Sequence, residues 1–286
     1  MPELPEVETI ARSLDAKLRG LEIESLKLLS PHLLKPLKKG NSLPPDELKT
    51  RRVLQVQRRG KMILIDCEGG VSILFHLKMT GQLVFCPQPQ PLDKHTHLII
   101  SFKRQEKELR FRDVRKFGFL KIFFKKDSFF LDDLKKLGPE PLSLDFPKFK
   151  RLFERRKARI KSLLLNQRFI AGIGNIYADE ILFQARINPF TPVSSLSLKE
   201  LKRLWLAMRD ILGIAVKKGG SSVRNFRNDE GKEGSFQDEH KVYGRQSLPC
   251  LCCGKKIERR LLGQRSSFFC PSCQVFEVSK KMREKK

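Results

Sequence analysis

No apolar run in these 286 residues approaches the ~18 needed to cross a bilayer as a helix, so no membrane partner is expected. Nor does the chain open like an exported one. Met1-Pro2-Glu3-Leu4-Pro5-Glu6-Val7-Glu8 places three carboxylates where a secretory signal needs positive charge and then an apolar stretch. Acid is scarce elsewhere: 32 Asp and Glu face 58 Lys and Arg, giving a formal net charge of +26. An excess of this size attracts polyanions, with DNA or RNA as the leading class and a merely basic or ribosome-associated protein as the alternative. Anionic membrane is the weaker option, because no basic amphipathic helix stands alone. Internal repeats are absent. Apolar residues at 40% and charged residues at 31% fall in the globular range, and the length suits two or three small domains. The expected setting is a reducing cytoplasm.

The pattern along the chain changes twice. After Pro5, the residues Val7, Ile10, Ala11, Leu14 and Leu18 recur at helical spacing and Gly20 follows, predicting one amphipathic helix with a glycine stop. From Ile23 to Phe124 short β-rich runs take over: 53–57, 62–67, 71–77, 83–86, 98–102, 109–111 and 118–124, a spacing that suggests a sandwich. Cys86-Pro-Gln-Pro-Gln-Pro-Leu between them reads as an exposed loop. Beyond Leu137-Gly-Pro-Glu-Pro-Leu the sequence becomes helical, with helices expected at 147–156, 158–165, 175–185 and 197–217. Leu198, Leu201, Leu204, Trp205, Met208, Ile211 and Leu212 form the apolar face of the last. A polar stretch with four glycines, 219–236, follows; a loop of this length is functional or a disordered linker.

Near the C-terminus, Cys250, Cys253, Cys270 and Cys273 make two Cys-x2-Cys pairs separated by sixteen residues. Four thiolates at this spacing suit tetrahedral Zn²⁺, and in a reducing compartment zinc is the better reading than disulfides. With all four positions filled by protein, the ion is structural. Lys255, Lys256, Arg259, Arg260 and Arg265 lie between the pairs, placed for phosphate contact. Cys67 and Cys86 fall in expected strands as small buried hydrophobes, while Cys252 merely adjoins a ligand.

Pro2, Glu3 and Glu6 have an ordinary explanation: a proline after Met1 permits its removal, and acids favour a helix start. Chemistry offers another. A free α-amino group has a pKa of ~8, against ~10.4 for lysine, so far more of it is nucleophilic at neutral pH. A secondary amine condensed with an aldehyde carbon gives an iminium that stays cationic and promotes elimination at the adjacent carbon. Such an amine fits attack on a sugar C1′, with Glu3 and Glu6 available for the acid and base steps.

Taken together, Pro2 to Glu8, Arg58-Arg59-Gly60-Lys61, His76 to Gly81, Asp113 to Gly118, Gly172 to Ala178 and the four cysteines resemble bacterial formamidopyrimidine-DNA glycosylase. The similarity runs from Pro2 to about Gln274, with six motifs in the same order. The resemblance implies an α+β multidomain protein. Its parts would be an N-terminal β-sandwich with a flanking helix (1–130), a helical helix-two-turns-helix domain (131–246) with a lesion-capping loop (219–236), a β-hairpin zinc finger (247–276) and a basic tail (277–286). The implied activity is a monomeric base-excision repair glycosylase and AP lyase acting on double-stranded DNA, carrying one structural Zn²⁺. It removes 8-oxoguanine and formamidopyrimidines and then cuts the strand by β,δ-elimination.

By position, Pro2 is the Schiff-base nucleophile, Glu3 the proton donor, Lys61 the β-elimination lysine and Arg265 the finger arginine of δ-elimination. For the last two, plain phosphate binding is the competing role. His76, His95, Arg115, Arg156 and Asn175 fall where the family contacts DNA. Ser221, Val223, Arg224, Asn225 and Phe226 fall on the loop that covers the flipped base. A base inside a duplex cannot be attacked at C1′, so it must be extruded and its place filled; Met79 and Phe117 are suitable wedges and Arg115 can bond the orphaned partner base, although an apolar Met and Phe are otherwise ordinary core. The chain departs from the family pattern at Lys78, at Lys116 and in its long tail. Alternatives are an endonuclease VIII-like enzyme for oxidised pyrimidines and a noncatalytic zinc-containing DNA-binding protein.

Overall fold

The computed structural model describes residues 1–37, 42–88, 90–126, 134–223 and 226–275. They form two compact units, one of 1–137 with 215–237 and the other of 138–214 with 238–286. The expected boundary at 130/131, Arg224, Asn225 and the tail 277–286 lie outside the described residues.

In the first unit the helix α1 (Leu4–Leu18) buries the predicted stripe Val7, Ile10, Ala11, Leu14 and Leu18. Among the described residues eight strands follow: β1 (Ile23–Leu28), β2 (Val53–Arg59), β3 (Met62–Cys67), β4 (Val71–His76), β5 (Gly81–Pro87), β6 (Thr96–Phe102), β7 (Lys107–Asp113) and β8 (Phe119–Phe124). They make two four-stranded sheets, ordered β1-β6-β7-β5 and β2-β3-β4-β8, in which every pairing is antiparallel. Ile63, Ile65, Ile73, Phe75, Leu83, Leu98, Leu109, Phe111 and Ile122 share one core cluster with the α1 stripe. That arrangement is the expected sandwich with its flanking helix.

β1 is a strand that the alternation did not single out, because only Ile23 of its six residues is buried. β7 also runs farther than 109–111. Its polar Glu108 and Arg110 are buried as a pair, with Arg110 also donating to the carbonyls of Gln90 and Pro91 within the proline-rich stretch. Cys67 and Cys86 are buried as expected, and burial pushes the Cys67 thiol up to about 12.

The second unit carries α2 (Phe146–Phe153), α3 (Ile160–Leu165), α4 (Asn175–Gln184) and most of α5 (Leu198–Lys217). Asp145 caps α2 by accepting from Lys148 N at 2.8 Å. The helix stops at Phe153, short of the expected 156, where Arg155 turns left-handed at φ 59°. α3 begins two residues later than expected. On α5, Leu201, Leu204, Met208, Ile211 and Leu212 are buried, but Leu198 at the first turn is exposed. Between the two cysteine pairs lies the hairpin β9 (Glu258–Leu262) and β10 (Arg265–Phe269), turning at Gly263-Gln264 with Gly263 at φ 60°.

Candidate active site and nucleic-acid interface

In the first unit, the start of α1 is built around its own acids. Glu3 is the N-cap, and a reciprocal capping box links it to Glu6: the Glu3 side chain accepts the Glu6 N–H, and Glu6 Oε2 accepts Glu3 N at 2.7 Å. Pro2, Glu3 and Glu6 are all buried, Glu6 to 1% exposure. The other Glu6 oxygen, Oε1, accepts Ser221 N at 2.7 Å. One carboxylate thus joins the peptide next to Pro2 to the loop 219–236. Gly220, at φ 82°, makes this approach possible, because a Cβ there would stand 2.6 Å from Glu6 Oε1.

The loop is not a loose linker at its described residues. Ser221 is buried, Phe226 packs on the sandwich core, and Val223 is exposed. Ser222 Oγ donates to Phe226 O at 2.9 Å and accepts Gly234 N at 2.9 Å, cross-bracing the two limbs. Sequence reasoning missed Asp229, which sits in what reads as a solvated charge run yet is 0% exposed.

Lys61, in the tight β2–β3 turn beside left-handed Gly60, is 7% exposed. His76, ending β4, accepts Lys78 N on Nδ1 at 3.0 Å, and burial, then the Lys78 and Lys61 charges, push its pKa down to about 3. It is therefore a neutral imidazole at physiological pH.

The predicted wedge residues come together at the surface. Asp113, at the end of β7, organises them: Oδ1 accepts the Thr80 hydroxyl and, at 3.2 Å, Arg115 N, while Oδ2 accepts Gly118 N at 2.7 Å. Met79 and Phe117 are 39% and 54% exposed, too open for core. The Arg115 guanidinium lies 3.1 Å from Met79 Sδ and 4.7 Å from the Phe117 ring centre. His95 stands beside this cluster through its carbonyl, which accepts Asp113 N at 2.9 Å. Two solvent-facing apolar side chains with a cation between them can insert into a stack of bases.

In the second unit, Gly172 at φ 86° and the N-cap Gly174 lead into Asn175, the first residue of α4. Asn175 Nδ2 donates to Ser266 O at 3.0 Å, and its Oδ1 is buried without a hydrogen-bond partner. The fully buried Lys161 donates to the same carbonyl at 2.7 Å and to Ser267 Oγ at 2.9 Å, and pairs with Asp179 at 2.7 Å. Asp179 in turn accepts Phe268 N at 3.1 Å. Burial raises the Asp179 carboxyl while the Lys161 ammonium opposes the rise. Three side chains thus grip β10 immediately after Arg265, which is exposed at the hairpin turn. Lys161 and Asp179 were not foreseen. Arg156 is exposed just past α2.

Cys250, Cys253, Cys270 and Cys273 place their four sulfurs within 4.8 Å of one another, with 3.8 Å between Cys250 and Cys273 and 3.5 Å between Cys253 and Cys270. Tetrahedral Zn–S bonds of about 2.3 Å require sulfurs roughly 3.8 Å apart, so the set fits one zinc ion. Cys252 N donates to Cys250 Sγ and Cys273 N to Cys270 Sγ, both at 3.4 Å, turning each pair inward. Cys252 itself is exposed and outside the set.

Comparison with known proteins agrees with these features. Residues 1–120 match the formamidopyrimidine-DNA glycosylase N-terminal domain, 137–227 the H2TH domain of the same enzymes, and 247–275 the zinc finger found in FPG and IleRS. The formamidopyrimidine-DNA glycosylase of Desulforamulus reducens is 42% identical over 282 residues, covering 96% of this chain and 99% of the relative. The fold matches a Lactococcus lactis FPG mutant in complex with Fapy-dG containing DNA at a TM-score of 0.88 and 32% identity, covering 96% of this chain and 100% of the other. It also matches L. lactis Fpg in complex with abasic-site DNA, at 0.87 and 33%, with the same coverage.

Proposed function

The chain belongs to the formamidopyrimidine-DNA glycosylase family, and from this premise we propose that it is a cytoplasmic, monomeric glycosylase and AP lyase that excises oxidised purines from double-stranded DNA. The reading divides the chain into a catalytic sandwich (1–130), a helical DNA-binding domain (131–246) with its capping loop, the finger (247–276) and a basic tail (277–286).

The observation that carries this reading is the position of Pro2 at the head of α1, next to a capping box whose Glu6 carboxylate accepts a hydrogen bond from the loop meant to cover the base. With Met1 removed, Pro2 is a secondary amine. Its lone pair attacks C1′ of the extruded nucleotide, the glycosidic bond breaks, and the base leaves with a proton. Opening of the sugar then leaves a cationic iminium and O4′, which Glu3 protonates. Loss of the C2′ proton expels the 3′ phosphate, a second elimination expels the 5′ phosphate, and water hydrolyses the iminium to release Pro2.

Lys61 and Arg265 are assigned to the two eliminations, each also able to bind the phosphates that leave. Glu6, with both oxygens accepting backbone N–H groups, serves best as a link holding loop and nucleophile in register. His76, His95, Arg156 and Asn175 take the backbone, while Met79, Phe117 and Arg115 fill the gap left by extrusion. Ser221, Val223, Arg224, Asn225 and Phe226 are assigned to contact with the base. A zinc ion held by Cys250, Cys253, Cys270 and Cys273 would fix the finger and leave no coordination position for substrate.

Borohydride trapping of the Met1-processed protein on duplex DNA with 8-oxoguanine opposite cytosine tests the proposal. A covalent adduct mapped to Pro2 is expected, and Glu3→Gln is expected to abolish excision. Trapping only on an oxidised pyrimidine would assign the endonuclease VIII-like activity instead.

A further inference from the structure

The middle of the loop 219–236 is fastened to α1 by an ionic cluster around one buried carboxylate. Asp229 is fully buried; its Oδ2 accepts Lys17 Nζ at 2.5 Å and Ser13 Oγ at 3.0 Å, while its backbone carbonyl accepts Phe85 N from β5 at 3.0 Å. Lys17 also binds Glu230 Oε1 at 2.8 Å. Burial pulls the Lys17 pKa down, but the Asp229 and Glu230 carboxylates hold it above the ordinary lysine value. Asp229 Oδ1 is buried without a hydrogen-bond partner, so Lys17 is the principal compensation for that carboxylate. A charge is rarely buried on a surface loop unless its partner fixes the loop.

Both ends of this arrangement sit on one helix. Ser221 is held by Glu6, one turn from Pro2, and Asp229 is held by Ser13 and Lys17 farther along α1. Glu6 and Ser13 are separated by roughly 10 Å of helix at ~1.5 Å per residue. The eight chain steps from Ser221 to Asp229 can span more than twice that distance when extended, at ~3.3 Å each. The loop is therefore tethered to α1 at two points, and the helix that presents the nucleophile also sets where the loop stands.

We propose that Lys17, Asp229 and Ser13 are positioning residues for base excision: their cluster around the buried Asp229 carboxylate holds the loop 219–236 in register with Pro2, so that it closes over an extruded base. The proposal rests on the function proposed above. It predicts a split between two activities of one protein, because an abasic site offers no base for the loop to cover.

The test measures single-turnover excision of 8-oxoguanine and nicking of a preformed abasic site with the same full-length, Met1-processed preparations. Asp229→Asn is expected to slow excision by about tenfold to a hundredfold, the upper figure being what a 1 Å misplacement can cost, with nicking within about twofold of the unaltered protein. Lys17→Arg, which keeps the charge, is expected to retain excision. Hydrogen exchange of the intact Asp229→Asn protein should show faster exchange in 219–236 and unchanged protection in β2, β3 and β4. Equal loss of both activities, no loss of either, or unchanged loop exchange would overturn the proposal. If the unaltered protein excises no oxidised purine, the underlying functional reading fails first, independently of any variant.

Discussion

Gly220 and Asp113 each hold a site together with a few atoms, and each supports a prediction at the scale of one residue. At Gly220, φ of 82° and the Glu6 carboxylate 2.6 Å from where a Cβ would stand leave no side chain room. Gly220→Ala should cost about 1–3 kcal/mol in denaturant unfolding, the usual cost of an imposed left-handed backbone and clash, and should slow excision. Asp113 accepts from Thr80, Arg115 and Gly118. In Asp113→Asn, an amide N–H₂ would face at least one of those donors, so about 1–3 kcal/mol of stability is expected to go. Affinity for an abasic-site duplex should fall with it as Met79, Arg115 and Phe117 lose their common support. The zinc cysteines and Pro2 were legible because their chemistry depends on residue type and spacing alone. Asp229 and Lys161 were not, since a buried charge looks like a solvated one until its partner, 212 or 106 residues away for Lys17 or Ser267, is in place.

Among elements, α1 was the most legible, its 3.6-residue stripe and Pro5 start giving its extent almost to the residue. Less visible was how α1 is bound to β2: Glu8 meets Arg58 and Arg12, each at 2.6 Å, and Asp15 Oδ1 accepts Val56 N at 2.6 Å. Although burial pushes Glu8 upward, its hydrogen bonds to Arg58 and Arg12 leave its pKa below the usual carboxylate range; Asp15 is likewise lowered, by Val56 N–H and Arg19 against desolvation. A depressed folded pKa contributes stability that is fully present above the unfolded value of about 4.3 for Glu and is lost as pH falls through the folded one. Stability should therefore drop on acidification below about pH 4.3, and Glu8→Gln should flatten that drop when urea midpoints are compared at pH 3 and 6. β1 escaped the sequence reading because its outward residues are only partly covered, which leaves little alternation to read. The end of α2 escaped because the left-handed turn falls on an arginine, which gives no glycine signal.

At the scale of the whole molecule, charge and metal govern what is measured. With a net charge of +26, affinity for an abasic-site analogue should fall steeply with salt. Arg265→Ala should reduce the slope of log affinity against log salt by about one unit if that side chain touches one phosphate. Cys253→Ser should reduce bound zinc from one equivalent to none by metal analysis, and weaken DNA binding as the hairpin carrying Arg265 loosens. The overall class was legible from charge, strand spacing and cysteine pairs. Which parts of the chain fold together was less so: the loop 219–236 follows a helix in sequence but packs with the sandwich, because its anchors Glu6, Ser13, Lys17 and Phe85 all precede it by more than a hundred residues.

The bond between Lys17 and Asp229 also bears on how such a sequence drifts. A lineage that replaced Lys17 alone would pass through a protein whose buried Asp229 carboxylate keeps only the Ser13 hydroxyl as a side-chain partner, a state that costs several kcal/mol. A paired exchange, or prior loss of burial at the loop, avoids that intermediate. The two positions are therefore expected to vary as a couple across related chains, so that their joint substitution pattern, rather than the identity of either residue, carries the record of how the loop has been held.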